Sequence, residues 1–414
     1  MWLAGFSVRT EPSKGRLSDL HAKALALRHE DEQPFVLVTM DLIAISRDIA
    51  ATVAREVQRR HGLPRERILF AVSHTHYGPE IRPDKVPFFH IPPEFARKIE
   101  PYVDALKTKL IKLIDDALSN MQPVRLLARK GTATFAHNRR AHGPDRVFDH
   151  EVPVLDVLDA KNGARRAIVF GYACHNTTIP PEDGRYCGDW AGFAQHHIEA
   201  DNPGALALFI TGAAADQNPD PRGSAEHSRA HGRALADAVA DALSSGDAHE
   251  INGPIVSAFE EVPLEFLPLP PREQLVAEAT SADVAVQTKA QFLLRATQDN
   301  RDLPATYPCP VQVVCLASEL LLIALGGEPV GDWAVKFKSR FVGPLVWVAG
   351  YSNDMFGYLP TVRVQREGGY EGGRAMLWSA LPMPFTETVE PRISEAVDRL
   401  VMQIGKPSAG KSSP

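Results

Sequence analysis

A mixed α/β fold, with a β-sheet core flanked by helices and a site at the carboxyl ends of the core strands, is predicted by three features of this chain. Near-continuous apolar runs recur, each of the length expected for a strand buried on both faces. Stretches with apolar residues at helical spacing separate them. Each run then ends in a turn of small residues bearing metal-binding or hydrogen-bonding side chains, which is where α/β proteins build their sites. The 414 residues suffice for one large or two medium domains. A hydrophobic content of 44% with 23% charged residues describes a folded globular chain. The net charge of -6, with no stripe of Lys and Arg interleaved with aromatics, argues against nucleic acid as a partner. There is no apolar run long enough to span a membrane, and residues 1–9 resemble no secretory leader, so a cytoplasmic location is expected. The four cysteines, Cys174, Cys187, Cys309 and Cys315, form no C-x-x-C pair and read as reduced, buried thiols.

In chain order, strands are expected at 19–27 and 34–42, the second ending in Asp41. A helix follows over 46–60, with Ser46 as N-cap and Ile49, Val53 and Val57 on one face. Ile68-Leu69-Phe70 then leads into Ala71-Val72-Ser73-His74-Thr75-His76-Tyr77-Gly78-Pro79. If the strand continues into this motif, its period of two puts His74 and His76 on one face. Residues 81–95, rich in Pro and Phe, read either as a substrate lid or as a packed connector. A helix over 102–119 carries Leu106, Leu110, Ile114 and Leu118. Further strands at 166–172, 205–211, 319–325 and 345–349 end respectively in Cys174-His175-Asn176, Asp216-Gln217-Asn218, Gly327-Glu328 and Gly350-Tyr351-Ser352-Asn353. Helices are expected at 190–200, with Asp189 as N-cap, at 225–243 and at 272–297. The proline-rich 262–271 reads as a connector and a possible subdomain boundary, and 405–414 as a disordered tail. His196 and His197 sit on a helix and read as surface or packing residues rather than ligands.

Two imidazoles projecting from one strand end suit a metal ion, because neutral imidazole nitrogen is a common zinc ligand. Taken singly, a His-x-His pair is equally compatible with two polar loop residues, His175 with a hydrogen-bonded core histidine, Glu328 with a turn carboxylate and Tyr358 with a buried aromatic. Their shared position after core strands is what sets them apart.

Ser73-His74-Thr75-His76-Tyr77-Gly78-Pro79, Ala173-Cys174-His175-Asn176-Thr177, Gly327-Glu328, the stretch from Gly350-Tyr351-Ser352-Asn353 to Tyr358, and Gly369-Tyr370-Glu371-Gly372, in that order, resemble the neutral/alkaline ceramidase family. The resemblance covers nearly the whole chain and implies a ceramidase-like catalytic domain over 1–404. It implies a zinc-dependent amidase with one Zn2+ per chain, held by His74, His175, Glu328 and Tyr358. His76 and Tyr370 then match residues that either support the ligands from behind or contact substrate: His76 suits orienting the attacking water or shuttling its proton, and Tyr370 suits hydrogen bonding to the developing oxyanion. A small-molecule or lipid-like N-acyl compound is the implied substrate. The chain departs from the family where a Gly-Asp-x-Ser-Pro-Asn segment is expected. It reads Ala215-Asp216-Gln217-Asn218-Pro219-Asp220, so Asn218 stands where the family has its active-site serine, and Asp216 and Asn218 join His76 and Tyr370 as catalytic candidates. An asparagine amide donates a hydrogen bond but is no nucleophile. This leaves open a zinc-dependent ester, lactone or phosphoester hydrolase, with Asp41, Asp216 and Asn218 supporting another metal, and a non-catalytic metal-binding protein. Iron or manganese would also suit the ligand set.

Overall fold

The apolar runs form three sheets in a computed structural model that describes residues 1–140, 147–298 and 303–405. In the first, β1 (Ala22–Leu27), β2 (Phe35–Met40) and β3 (Ile68–Val72) lie in that order, β1 antiparallel and β3 parallel to β2. A parallel pair needs a crossover, supplied by α1 (Arg47–His61), whose Ser46 cap accepts from Ile49 N and whose end turns at Gly62 in the left-handed region. The helices α2 (Pro93–Ala96) and α3 (Ile99–Ser119) lead to β4 (Val124–Thr132), β5 (Ala136–Asn138), β6 (Glu151–Asp159) and β7 (Arg165–Tyr172). After α4 (Asp189–Asp201) come β8 (Leu206–Thr211), β9 (Gln217–Pro219), α5 (Ala225–Ser244) and β10 (His249–Ile251). The second sheet runs β10-β4-β6-β7-β8, and only β7 and β8, joined across α4, are parallel.

The third sheet draws on β11 (Ile255–Glu265) and, beyond α6 (Arg272–Glu278) and α7 (Val284–Gln298), on β12 (Thr306–Leu316) and β13 (Leu320–Leu325). There follow β14 (Glu328–Pro329), α8 (Asp332–Arg340), β15 (Leu345–Ala349), β16 (Tyr358–Leu359), α9 (Val362–Glu367) and α10 (Val389–Gly405). The order is β11-β12-β13-β15, again with one parallel pair, β13 and β15. Two small ladders, β5 with β9 and β14 with β16, complete the pairing.

Side chains alternate along each strand between two hydrophobic environments, which explains the unbroken apolar runs. Leu69 and Ala71 of β3, Ala167 and Val169 of β7, and Leu320, Leu322 and Ala324 of β13 all enter one cluster shared by the three sheets. The alternate residues face outward onto separate layers. Phe70 and Val72 join α1 and α3 residues, Ile168 and Phe170 join α4 and α5, and Leu321 and Ile323 join α8 and α10. Because the sheets share an inner core, their strand ends converge. Single bridges fasten them there: Thr75 with Asn176, Ala71 with Ser352, and Gly212 with Ala349.

The structure departs from the sequence reading in several places. β3 ends at Val72, and His74 takes a left-handed φ of +59°, so no continuing strand aligns the histidine pair. Val262 to Glu265 belong to β11, and Pro263 is tolerated because β11 is an edge strand, which leaves the connector to the residues after Glu265. The helix expected over 272–297 is two helices: Asp283 Oδ1 accepts from Ala285 N and Val286 N and starts α7 afresh. Asp189 is the first residue of α4 and Gly188 its cap. Residues 81–95 are a packed connector, with Phe88 fully buried against Phe292 and Lys85 Nζ donating to Trp378 O at 2.9 Å. All four cysteines are free. His196 is exposed and His197 half-buried, as expected. Gly405 closes α10, while the rest of the expected tail, 406–414, lies outside the described residues. Among the described residues, no helix is long and apolar enough to cross a membrane.

Candidate metal centre

Four side chains meet where the strand ends converge. His74 follows β3, and its backbone N donates to Leu42 O at 2.9 Å, which fixes it beside the segment after β2. Its Nδ1 lies 2.8 Å from Ile43 O. A carbonyl only accepts, so Nδ1 carries the proton and Nε2 offers its lone pair to the centre. His175, after β7, repeats the arrangement: Nδ1 is 2.7 Å from Ala214 O, while its own carbonyl accepts from Trp190 Nε1 at 2.8 Å. Burial, and then the charge of Arg139, hold the His175 imidazole down to about 4 against the opposing pull of Glu328, so it is neutral at pH 7.

Glu328 opens β14. Its Oε2 stands 3.3 Å from His74 Nε2 and 3.4 Å from His175 Nε2. That oxygen is buried and has no hydrogen-bond donor. Two Nε2 atoms and a carboxyl oxygen thus face one another out of water; with no proton between them they repel one another, and a cation placed there relieves the repulsion. The spacing fits one. Bonds of about 2.1 Å to a tetrahedral ion put neighbouring donors about 3.4 Å apart. Outward Nδ1–H groups on carbonyls are also the usual support of metal-ligating histidines.

His76 Nε2 lies 3.3 Å from His74 Nε2, and the nitrogens of His74, His76 and His175 form the one group of three His, Cys, Asp or Glu residues placed to hold a metal among the described residues. The His76 Nδ1 has no partner, unlike those of the other two rings. Tyr358 reaches the site because β16 pairs in parallel with β14, opposite Glu328. Its hydroxyl lies 3.0 Å from Arg139 Nη2 and its ring 5.3 Å from that of Tyr370. Burial and then Glu328 push the Tyr358 phenol well up, while Arg139 opposes them. Tyr370, whose ring meets that of Tyr358, is 43% exposed.

Asn218, on β9, accepts at Oδ1 from Arg139 Nη1 at 3.2 Å. A guanidinium only donates, so the amide oxygen is the atom turned to Arg139 and the NH2 group is left as a donor. Asp216 is fully buried and accepts from Gly331 N, Asn138 Nδ2 and Gln217 Nε2, each at 2.9 Å. It braces the turn and stands outside the donor group. Asp41 is likewise engaged, by His21 N at 2.9 Å and Gln195 Nε2 at 3.2 Å. These contacts give no support to another metal at Asp41 and Asp216.

Arg139 escapes the sequence reading, and Tyr351, named there within a motif, is given no role in it. Arg139 binds Glu371 Oε1 through Nε at 2.6 Å in addition to Asn218 and Tyr358, and so ties the last motif to Tyr358 and Asn218. Nothing local in the sequence marks it, although Glu371 beside Tyr370 calls for a buried cation. Tyr351 lies with its ring 4.4 Å from that of His74, and its buried hydroxyl has no partner. Tyr351 and Asn353, at φ +52° and +65°, join His74 in the left-handed region, a concentration of strained backbone typical of a functional site.

No protein-family profile matches the sequence, and no curated protein does. Solved structures do resemble it. A ceramidase complexed with C2 superimposes at a TM-score of 0.74 with 17% identity, covering 99% of this chain and 74% of that one. The neutral ceramidase from Pseudomonas aeruginosa does so at 0.71 with 19% identity, covering 96% and 72%. The chain therefore has the fold of the neutral ceramidases over almost its whole length.

Proposed function

We propose that this chain, which carries the neutral ceramidase fold, is a zinc-dependent hydrolase that cleaves an amide bond in an N-acyl, lipid-like or small-molecule substrate. The observation that carries the reading is the convergence of the His74 and His175 Nε2 lone pairs on the unpartnered, buried Glu328 Oε2. These three residues, with Tyr358 as a fourth candidate, would hold the ion. Bound there, zinc lowers the pKa of a water molecule and polarises a carbonyl oxygen. The chain's own groups supply the rest. His76, with Nε2 facing the same space, takes the proton from the attacking water and returns it to the leaving nitrogen. The Asn218 NH2 group and the Tyr370 hydroxyl donate to the oxyanion. Asn218 in place of a serine means that no side chain there forms an acyl intermediate, so water attacks directly.

Elemental analysis of the purified chain beside His74→Ala and Glu328→Ala tests the centre. Stoichiometric zinc in the wild type, lost in both variants, is expected; zinc retained by both variants would sink the ligand assignment. A chromogenic panel of N-acyl amides, esters and phosphates then tests the bond. Turnover of amides is expected, whereas turnover of esters or phosphates alone would replace the amidase reading with the ester or phosphoester one.

A further inference from the structure

Three imidazoles meet at the centre, but they are held in two different ways. His74 and His175 are tied through Nδ1 to backbone carbonyls. His76 is not, and its buried Nδ1 faces no acceptor. What lies against that nitrogen is the N-terminal segment. Gly5, at φ +103°, comes so close that a methyl group built on it would sit 2.6 Å from His76 Cγ and 2.8 Å from His76 Cβ, and nearer still to Nδ1. Phe6 packs its ring 4.7 Å from the imidazole.

The same segment is fastened to the backbone that carries His76. Ala4 N donates to Gly78 O at 3.0 Å and Glu80 N to Trp2 O at 2.9 Å, with Leu3 bridging Pro79. Arg9 Nη1 donates both to Ala4 O and, at 2.7 Å, to His76 O, and its guanidinium lies 4.9 Å from the Phe6 ring and 5.0 Å from the Tyr77 ring. The N-terminal residues are thus built onto the histidine motif on two sides, through its backbone and against its ring.

An imidazole with no hydrogen bond at its outer nitrogen is held on that side by packing, since the torsion that turns the ring is soft. We infer that Gly5 and Phe6 are positioning residues of this centre: they aim His76 Nε2 into the space it shares with His74 and His175, and position 5 requires glycine because any side chain there would displace the ring. A φ of +103° strains any other residue on backbone grounds as well. The consequence for turnover rests on the hydrolase reading; the aim of the ring does not.

The test uses the full chain labelled with 15N-histidine and loaded with zinc, as wild type, Gly5→Ala and Phe6→Ala, with His76→Gln to assign the His76 ring signals. In both packing variants the His76 ring signals are expected to move while those of His74 and His175 stay, with zinc content unchanged. On an amide the wild type cleaves, kcat is expected to fall about 10- to 100-fold, with KM little altered, as for a group misplaced by about an ångström. Should Gly5→Ala fail to fold, Phe6→Ala carries the test, because it introduces no clash and no strained φ. Unmoved His76 signals in a folded variant would overturn the inference. So would joint displacement of all three rings with loss of zinc, which is the mark of general damage. Moved His76 signals in a chain whose wild type turns over nothing would leave the positioning role standing and defeat the hydrolase reading.

Discussion

Asn218 and Arg139 show how one residue of the site constrains another. The guanidinium fixes the Asn218 amide oxygen, with Nη1 at 3.2 Å, while it also holds Tyr358 and Glu371. If the remaining NH2 group donates to the oxyanion, Asn218→Ala and Asn218→Asp should fail alike, because aspartate still accepts from Arg139 but no longer donates. Each is expected to lower kcat about 10²- to 10³-fold with zinc retained, in steady-state kinetics of the zinc-loaded variants. An active Asn218→Asp would show that the amide's role is only to anchor Arg139. The histidines carry a similar lesson. His74 and His175 are legible as ligands from their place after strands, but the carbonyls of Ile43 and Ala214 that set their tautomers come from other segments and leave no mark in the local sequence.

Among the elements, those that the sequence displays are the ones buried on both faces. β2, β3, β7, β8, β13 and β15 are nearly continuous apolar runs, and their bounds agree with the expected ones to within a few residues. β4, with Arg125, Arg129 and Lys130 along it, and the proline-bearing β11 and β12 escape the reading, since their charges and prolines mask the pattern. The break between α6 and α7 has a consequence that can be measured. α7 carries Lys289, whose Nζ donates to Ser379 O at 2.9 Å and also to Leu381 O, and so clasps the segment that follows Tyr370. Burial, and then the charge of Lys85, press its ammonium down to about 7 from 10.5. Between those pH values the unfolded chain binds a proton that the folded chain lacks, so this group's contribution to stability rises with pH from about 7 and levels off above 10.5. Thermal unfolding from pH 7 to 9 should show the wild type gaining on Lys289→Met as pH rises. A difference in Tm that stays constant over this range would refute the assignment.

At the scale of the whole molecule, the site exists because three sheets share one inner core. Leu69, Val169 and Leu322 lie in a single cluster although they belong to different sheets. Each sheet contributes one parallel pair, and the residues after β3, β7 and β13 supply His74, His175 and Glu328. A metal held across all three would fasten them together, and one that binds only the folded chain would stabilise it. At free zinc about 100 times its Kd, the linkage amounts to about 2.7 kcal/mol. For a chain of this size that is a rise in Tm of a few degrees, reversed by chelation and absent in His74→Ala, as scanning calorimetry would record. A zinc-independent Tm would mean that the converging lone pairs are satisfied in some other way.

The sequence by itself determined the fold class, the six core strands and the order of the residues at their ends, because burial on both faces forces a continuous apolar run and a strand end forces a small-residue turn. Only the tertiary structure decided how those ends meet. His74 and His76 face one space through a left-handed backbone at His74 rather than through strand alternation. Arg139, some 79 residues from Asn218 in sequence and 219 from Tyr358, joins them through space, and Gly5 reaches His76 because the N-terminus is laid back across Pro79. Such contacts depend on distance in space, which a periodicity read along the chain does not encode.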